Sequence, residues 1–198
     1  MKAVHLENDS VIWSRLKLGD RDALSQIFRI YYSDLHNYGI KLCGKSSIVE
    51  DTLQDMFLHL FEKREQLGQV SYIKPYLYTC FRRSLLKNIQ AKRQMDLLDD
   101  DLQLQIEPEE IALTQSNADL KKKVLASMIN KLPKRQRELI YLRYYSDFSI
   151  DEIADILSIS YRSVVNTLYK AMIRLRSDKT ALGVLEHLLI PIFGFSIL

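Results

Sequence analysis

The sequence predicts an all-α protein: two small helical domains joined by an acidic flexible linker, the C-terminal one containing a helix-turn-helix. Three observations predict it. No stretch sustains a period-two alternation of apolar and polar residues, and only 6 of the 198 residues are Gly, so the apolar residues belong to helices rather than strands. Helix-start signatures recur, with Ser47 and Glu50, and again Ser149 and Glu152, each reading as a capping box ahead of an apolar stripe. Between them the composition changes abruptly. Residues 95–110 carry seven carboxylates and no Lys or Arg, and Pro108 stops a helix there. The expected division is a first domain over 1–94, a linker leading into a helix over 95–125, a second domain over 126–178 and an apolar tail over 179–198.

In chain order, Glu7 and Asp9 interrupt a short apolar start, so no secretory leader is expected and the protein is expected in the cytoplasm. From Ser47 a helix buries Val49, Leu53, Met56, Phe57 and Leu60 and turns Asp51, Gln54, Asp55, Leu58 and Glu62 outward. An exposed Leu among carboxylates and a Gln suits a protein-binding face, although a solvated acidic face is the commoner explanation for charges alone, and the stripe by itself leaves the two readings even. Next, a loop with Tyr72, Lys74 and Pro75 leads into a helix bearing Tyr76, Tyr78, Arg82, Arg83, Lys87, Lys92 and Arg93. Rings interleaved with cations suit single-stranded nucleic acid, since each base stacked on a ring contributes about 1–3 kcal/mol. Partly buried tyrosines and solubilising cations would produce the same pattern. Within the linker, Leu97, Leu98, Leu102, Leu104 and Ile106 imply that part of it packs against something.

The second domain opens with Leu132-Pro133, where Pro133 suits the first turn of a helix whose Leu139, Ile140 and Leu142 face a core and whose basic residues face solvent. After it, Ser149 caps a helix with the stripe Ile150, Ile153, Ala154, Leu157. The turn Ser158-Ile159-Ser160 has the length that joins two helices at a steep angle, Ile159 plugging the gap and Ser160 capping the second helix. That helix buries Val164, Leu168, Ala171 or Met172, and Leu175. Its polar face carries Ser163, Asn166, Thr167, Lys170 and Arg174, with Arg162 on the shoulder. Arg and Asn match guanine and adenine edges in the major groove, and later basic residues meet phosphates.

The run LPKRQRELIYLRYYSDFSIDEIADILSISYRSVVNTLYKAMIRLR resembles the promoter −35 reading domain of bacterial RNA polymerase sigma factors of the extracytoplasmic-function group, with Ser158 where the family often has Gly. The order Glu50-Asp51, Gln54-Asp55, Phe57-Leu58, Phe61 resembles the helix with which these factors grip the clamp of the polymerase core, Phe61 standing for a common Trp. On that resemblance Asp51, Gln54, Asp55 and Leu58 contact the core. Residues 69–93 resemble the segment that melts the −10 element and holds a flipped base in the loop before its helix; Arg83 replaces a frequent Asn, and Cys80-Phe81 replace smaller residues. The resemblance assigns Tyr72, Lys74, Tyr76, Tyr78, Arg82, Arg83 and Lys87 to the single strand. It assigns Arg162, Ser163, Asn166, Thr167, Lys170 and Arg174 to the −35 element. Leu16–Asp20 and the helix from Ala23 to Tyr32 resemble the family's opening, a turn and a helix under the clamp-binding one. The implied partners are the core polymerase, through its β′ clamp and β flap, promoter DNA, and an anti-sigma factor, often at a membrane.

The net charge of +3 is too small to announce nucleic-acid binding by itself; its segregation around an acidic stretch is the informative part. Cys43 and Cys80 lack CxxC spacing, and His5, His36, His59 and His187 are scattered, so no metal, cofactor or disulfide framework is expected. No phosphate loop or nucleophile elbow is present, and neither enzymatic activity nor a small-molecule substrate is expected. Residues 182–198 are apolar but interrupted by Glu186, His187 and Pro191, and a spanning helix needs about 20 apolar residues; the tail is expected to cover the DNA-reading domain or the interdomain surface. The leading reading is a sigma initiation factor. A stand-alone helix-turn-helix regulator and a polymerase-binding protein that no longer opens promoters are the alternatives.

Overall fold

The computed structural model describes residues 2–94, 104–111 and 118–177, and the chain divides into two units, residues 1–103 and 104–198. The first contains α1 (Lys2–Lys17), α2 (Arg21–Cys43), α3 (Ser46–Glu62) and α4 (Ile73–Gln94); the second contains α5 (Ala118–Asn130), α6 (Lys134–Ile140), α7 (Ile150–Leu157) and α8 (Tyr161–Ser177). No strand occurs among the described residues. No described helix is long and apolar enough to cross a membrane.

In the first unit α2 packs on α1, α3 and α4. The α1–α2 turn places Gly19 at φ +88°, and Asp20 then caps α2 by accepting from the backbone N–H of Asp22 and Ala23 at 2.8 and 3.3 Å. A hydrogen bond from Arg15 to Asp20 holds that carboxyl below its ordinary range. The stripe Val49, Leu53, Met56, Phe57, Leu60 is buried, as its spacing predicts. The expected capping box at Ser47 does not form. Left-handed Gly44 and extended Lys45 bring the chain into α3 two residues early, so Ser47 already lies inside the first turn, and Ser46 Oγ donates to Glu50 Oε1 at 2.6 Å instead.

The three longest helices of this unit meet at Gly39. A Cβ there would lie 2.7 Å from Phe81 Cζ and 2.8 Å from Val49 Cγ1, so a methyl group does not fit. The large Phe81 of α4, fully buried, is accommodated because α2 offers a bare backbone opposite it. Lower down, Asn88 of α4 donates to Thr52 Oγ1 of α3 at 2.9 Å, and Thr52 donates to the Ile48 carbonyl.

In the second unit part of the acidic stretch is packed. Leu104, Ile106 and Ile111 are buried, and Asn130 at the end of α5 pairs with both backbone groups of Ile106, accepting from its N–H at 2.9 Å and donating to its carbonyl at 3.0 Å. Pro108 does not merely break structure: it starts a short 3₁₀ turn, Pro108–Glu110, closed by a Glu107–Glu110 capping box. Leu97, Leu98 and Leu102, and the tail 179–198, lie outside the described residues.

Pro133 stands just before α6 rather than in its first turn. The expectation that the basic residues of α6 face solvent holds for Lys134 and Arg135 but not for Arg137, which is 5% exposed, its Nε unpaired among described atoms and its pKa lowered by burial. All of residues 136–140 are buried, so a single apolar stripe underestimates how much of this short helix is enclosed. Past Ile140 the helix widens into a π turn, Tyr141–Tyr145, with the rings of Tyr141 and Tyr145 stacked 5.7 Å apart.

Candidate functional site

On α3, Asp51, Gln54, Asp55 and Leu58 are all exposed, Leu58 by 55%, because they fall between the buried positions of the same helix. Asp51 also faces Lys92 of α4 at 3.8 Å. Leu58 forms a ridge between two grooves. One, of 450 Å³, is floored by Phe28 and Tyr32 of α2 with Gln54, Phe57 and Phe61 of α3. The other, of 720 Å³, lies between α3 and α4 and includes Asp55, His59, Tyr76, Cys80 and Arg83. Phe28 is 40% exposed and stacks on Tyr32 at 4.7 Å. These two aromatic residues, read in the sequence only as part of a helix packed under α3, widen the apolar part of the face; exposed aromatics cannot be told from core aromatics by spacing alone.

Along α4 the structure separates the tyrosines. Tyr76, Arg83 and Lys87 recur at helical spacing on one side. Tyr78, two residues from Tyr76, points the other way: it is 1% exposed and packs on Tyr38 at 5.2 Å between ring centroids. Its assignment to a nucleic-acid surface is therefore corrected to a core role, since residues i and i+2 of a helix do not share a face. Tyr76 is half-buried, edge-on to Trp13 at 5.1 Å, and burial pushes its phenol up to about 12, with the neighbouring Cys80 adding to the shift. Burial also raises the Cys80 thiol. Arg82 is half-buried, and Arg83 and Lys87 are exposed. Tyr72 is 42% exposed at the end of the loop, while Lys74 and Pro75 already belong to the first turn of α4, Lys74 reaching Asp34 at 3.9 Å.

The helix-turn-helix forms where its sequence predicts, but the buried stripe of α7 is Ile153, Ala154, Ile156 and Leu157, while Ile150 and the turn residue Ile159 are only half-buried. Ser149 Oγ accepts from Glu152 N at 3.3 Å and Glu152 Oε2 accepts from Ser149 N at 2.7 Å. Ser158 adopts the left-handed conformation, φ 54° and ψ 49°, that Gly would reach without strain. Ser160 Oγ accepts from Ser163 N at 3.2 Å and lies 2.9 Å from Ser163 Oγ, so Ser163 is engaged in the cap as well as exposed. Val164, Leu168, Leu175 and both Ala171 and Met172 are buried. Arg162, Asn166 and Lys170 are exposed, Thr167 is half-buried, and Arg174 donates to Gln136 of α6 at 3.2 Å. Tyr169 and Ile173, 56% and 48% exposed, sit in the same stripe as Arg162 and Asn166. The sequence reading passed over them because it sorted α8 into apolar core and polar face.

A helix-turn-helix in one unit and an α3–α4 pair with an acidic and apolar face in the other are matched by two family models in the same order: Sigma-70 region 2 over residues 27–94 and Sigma-70, region 4 over residues 122–175. The chain belongs to the sigma-70 family, in its extracytoplasmic-function group. Among curated relatives, this sigma factor is 24% identical to RNA polymerase sigma factor YlaC of Bacillus subtilis, over 81% of this chain and 94% of the relative. It is 25% identical to ECF RNA polymerase sigma factor SigL of Mycobacterium tuberculosis, over 84% and 96%. The fold matches CnrH, solved in complex with the cytosolic domain of CnrY, at TM-score 0.59 and 17% identity, over 87% of this chain and 97% of that one. It also matches the sigma factor RpoE of Bartonella quintana, solved with the anti-sigma factor NepR, at TM-score 0.53 and 22% identity, over 82% and 96%. The two family models thus fall on α2–α4 and on α5–α8, the elements that carry the exposed faces described above.

Proposed function

We infer that this chain is a transcription initiation factor that binds the RNA polymerase core, directs it to promoters with −35 and −10 elements and assists their opening, the polymerase supplying the chemistry. The observation that carries this is the presence of both sigma regions, in order, in one chain. A stand-alone regulator would have no use for region 2, and a pure polymerase-binding protein none for a reading helix.

In this reading Gln54, Asp55 and Leu58 meet the β′ clamp, joined by Asp51 when it releases Lys92, and Phe28 and Tyr32 extend the apolar part of that contact. Tyr72 and Tyr76 take unstacked bases, while Lys74, Arg82, Arg83 and Lys87 follow the backbone. Arg162, Asn166 and Thr167 read the −35 bases from the start of α8, Ser163 contributes through the cap, and Lys170 and Arg174 meet phosphates. The β flap is the second polymerase contact. A protein inhibitor of the anti-sigma kind is proposed as a further partner, by analogy with the partners named for the two solved relatives. The place of action is the cytoplasm, where the polymerase is. No catalytic residue, cofactor or metal is assigned to the chain itself.

In vitro transcription of a genomic promoter library by core polymerase, with and without the purified protein, tests this. Protein-dependent transcripts sharing two spaced elements are expected. DNA binding without new transcripts would return the regulator, and core binding alone the interaction protein. Replacing Gln54 and Asp55 by Ala should weaken core binding and leave duplex −35 binding unchanged.

A further inference from the structure

Residues 67–72 join the 3₁₀ turn Arg64–Gln66 to α4 and display Gln69, Ser71 and Tyr72 to solvent. Both ends of this short loop are held by a single helix far away in the chain. At its start the indole N–H of Trp13, a residue with no exposed surface, donates to the Gly68 carbonyl at 2.9 Å. A buried indole N–H needs such an acceptor, so the ring cannot shift without giving up either its packing or this bond. At its end Asp9, 7% exposed, accepts from the Ile73 N–H at 3.0 Å with one carboxylate oxygen and from the Tyr31 hydroxyl at 3.1 Å with the other. Ile73 is the first residue of α4, whose leading N–H groups have no partner within the helix, and a carboxylate there also meets the positive end of the helix dipole. The first N–H of α4 is thus capped by a carboxylate of α1. Trp13 further touches Tyr76 edge-on, so the same helix sets the first aromatic ring of α4.

We propose that α1 is the positioning element of the base-capturing loop: Asp9 and Trp13 fix its two ends so that Gln69, Ser71 and Tyr72 are presented to the single strand in one preformed arrangement. Neither residue touches the strand. This rests on the reading of residues 69–93 as the −10 element's site. A preformed loop binds an unpaired base without first losing the freedom of its own backbone, which is how preorganisation raises affinity. Tyr31 provides an internal control, because it bonds the opposite oxygen of the same Asp9 carboxylate and joins α2 to α1 rather than to the loop through that bond.

The test uses holoenzyme assembled from core polymerase with the wild-type chain, Trp13→Phe, Asp9→Asn, Tyr31→Phe or Tyr72→Ala, on a promoter recovered by the transcription screen. Opening is read by permanganate reactivity of unpaired thymines, and capture by binding of the same promoter with a premelted −10 bubble. Trp13→Phe and Asp9→Asn should each lower opening and bubble binding by about fivefold, the size of one lost hydrogen bond, with core affinity and duplex −35 binding unchanged. Tyr31→Phe should lower thermal stability and leave bubble binding intact. Trp13→Phe retains a ring of similar shape and keeps the test open should Asp9→Asn fail to fold. Unchanged bubble binding in folded Trp13→Phe, alongside a loss in Tyr72→Ala, would overturn the positioning role alone. Unchanged binding in Tyr72→Ala would remove the loop reading and this role together. A loss in core affinity equal to the loss in opening would make α1 merely structural.

Discussion

The turn that sets the start of α8 and the loop that precedes α4 are fixed over very different distances along the chain. In the helix-turn-helix the decisive bonds join residues three apart, Ser149 to Glu152 and Ser160 to Ser163. In the first unit they join residues 36, 55 and 64 apart, Asn88 to Thr52, Trp13 to Gly68 and Ile73 to Asp9. The start of α8 therefore rests on local chemistry, whereas the loop 67–72 takes its place only after distant segments have met. Each distant closure costs loop entropy before any contact forms, so substitutions there should act on the whole unit, and substitutions in the turn should stay local.

The sharpest way to break the contrast is Gly39→Ala. Ala gains about 1 kcal/mol of helix propensity over Gly, but its methyl would stand 2.7 Å from a fully buried Phe81 ring. Overpacking of this kind costs about 1–3 kcal/mol, so a net loss is expected in urea denaturation. A second change, Phe81→Leu, should recover part of it, and additive losses in the pair would show that the two sites do not meet. At the second unit, Arg162→Ala or Asn166→Ala should weaken −35 binding by about 1–3 kcal/mol while leaving −10 bubble binding alone; an equal loss on scrambled duplex would reassign the residue to phosphate.

Smaller effects sharpen the local side of the comparison. Ser149→Ala removes one half of the capping box and should cost about 1 kcal/mol of stability in the second unit, with no change in core binding. Ser158→Gly should gain stability. An L-residue in the left-handed region costs about 1–2 kcal/mol, against about 0.4–1 kcal/mol lost by loosening the unfolded chain, so the expected gain is up to about 1.6 kcal/mol in thermal or urea unfolding. A loss there would mean that the Ser158 side chain supplies more than its backbone strain costs.

The same contrast explains what the sequence could reveal. The cap at Ser149, the turn at Ser158 and the buried residues of α8 were legible because the residues that satisfy one another sit side by side. The α3 stripe was legible by periodicity, and its capping box was not, because the entry to α3 is set by Gly44 and Lys45 rather than by Ser47. Tyr78 was misplaced because composition counts rings without asking which side of a helix they leave from. Asp9 read only as a charge that spoils a secretory leader, and α1 as a helix went unread; its importance depends on Ile73 and Gly68, which no local pattern links to it. Nothing local marks Gly39, whose constraint comes from Phe81, 42 positions away.

The pairing of Asn130 with Ile106 bears on how the DNA-reading half should be cut for separate expression. A fragment begun at residue 126, the start of the second domain expected from the sequence, would discard Leu104, Ile106 and Ile111 and split α5 itself. Asn130 would then lose both of its backbone partners, and the α5 surface that residues 104–111 occupy would become a sticky apolar patch. A fragment begun ahead of Leu104 keeps that surface covered and carries the acidic turn Pro108–Glu110 as part of the folded body.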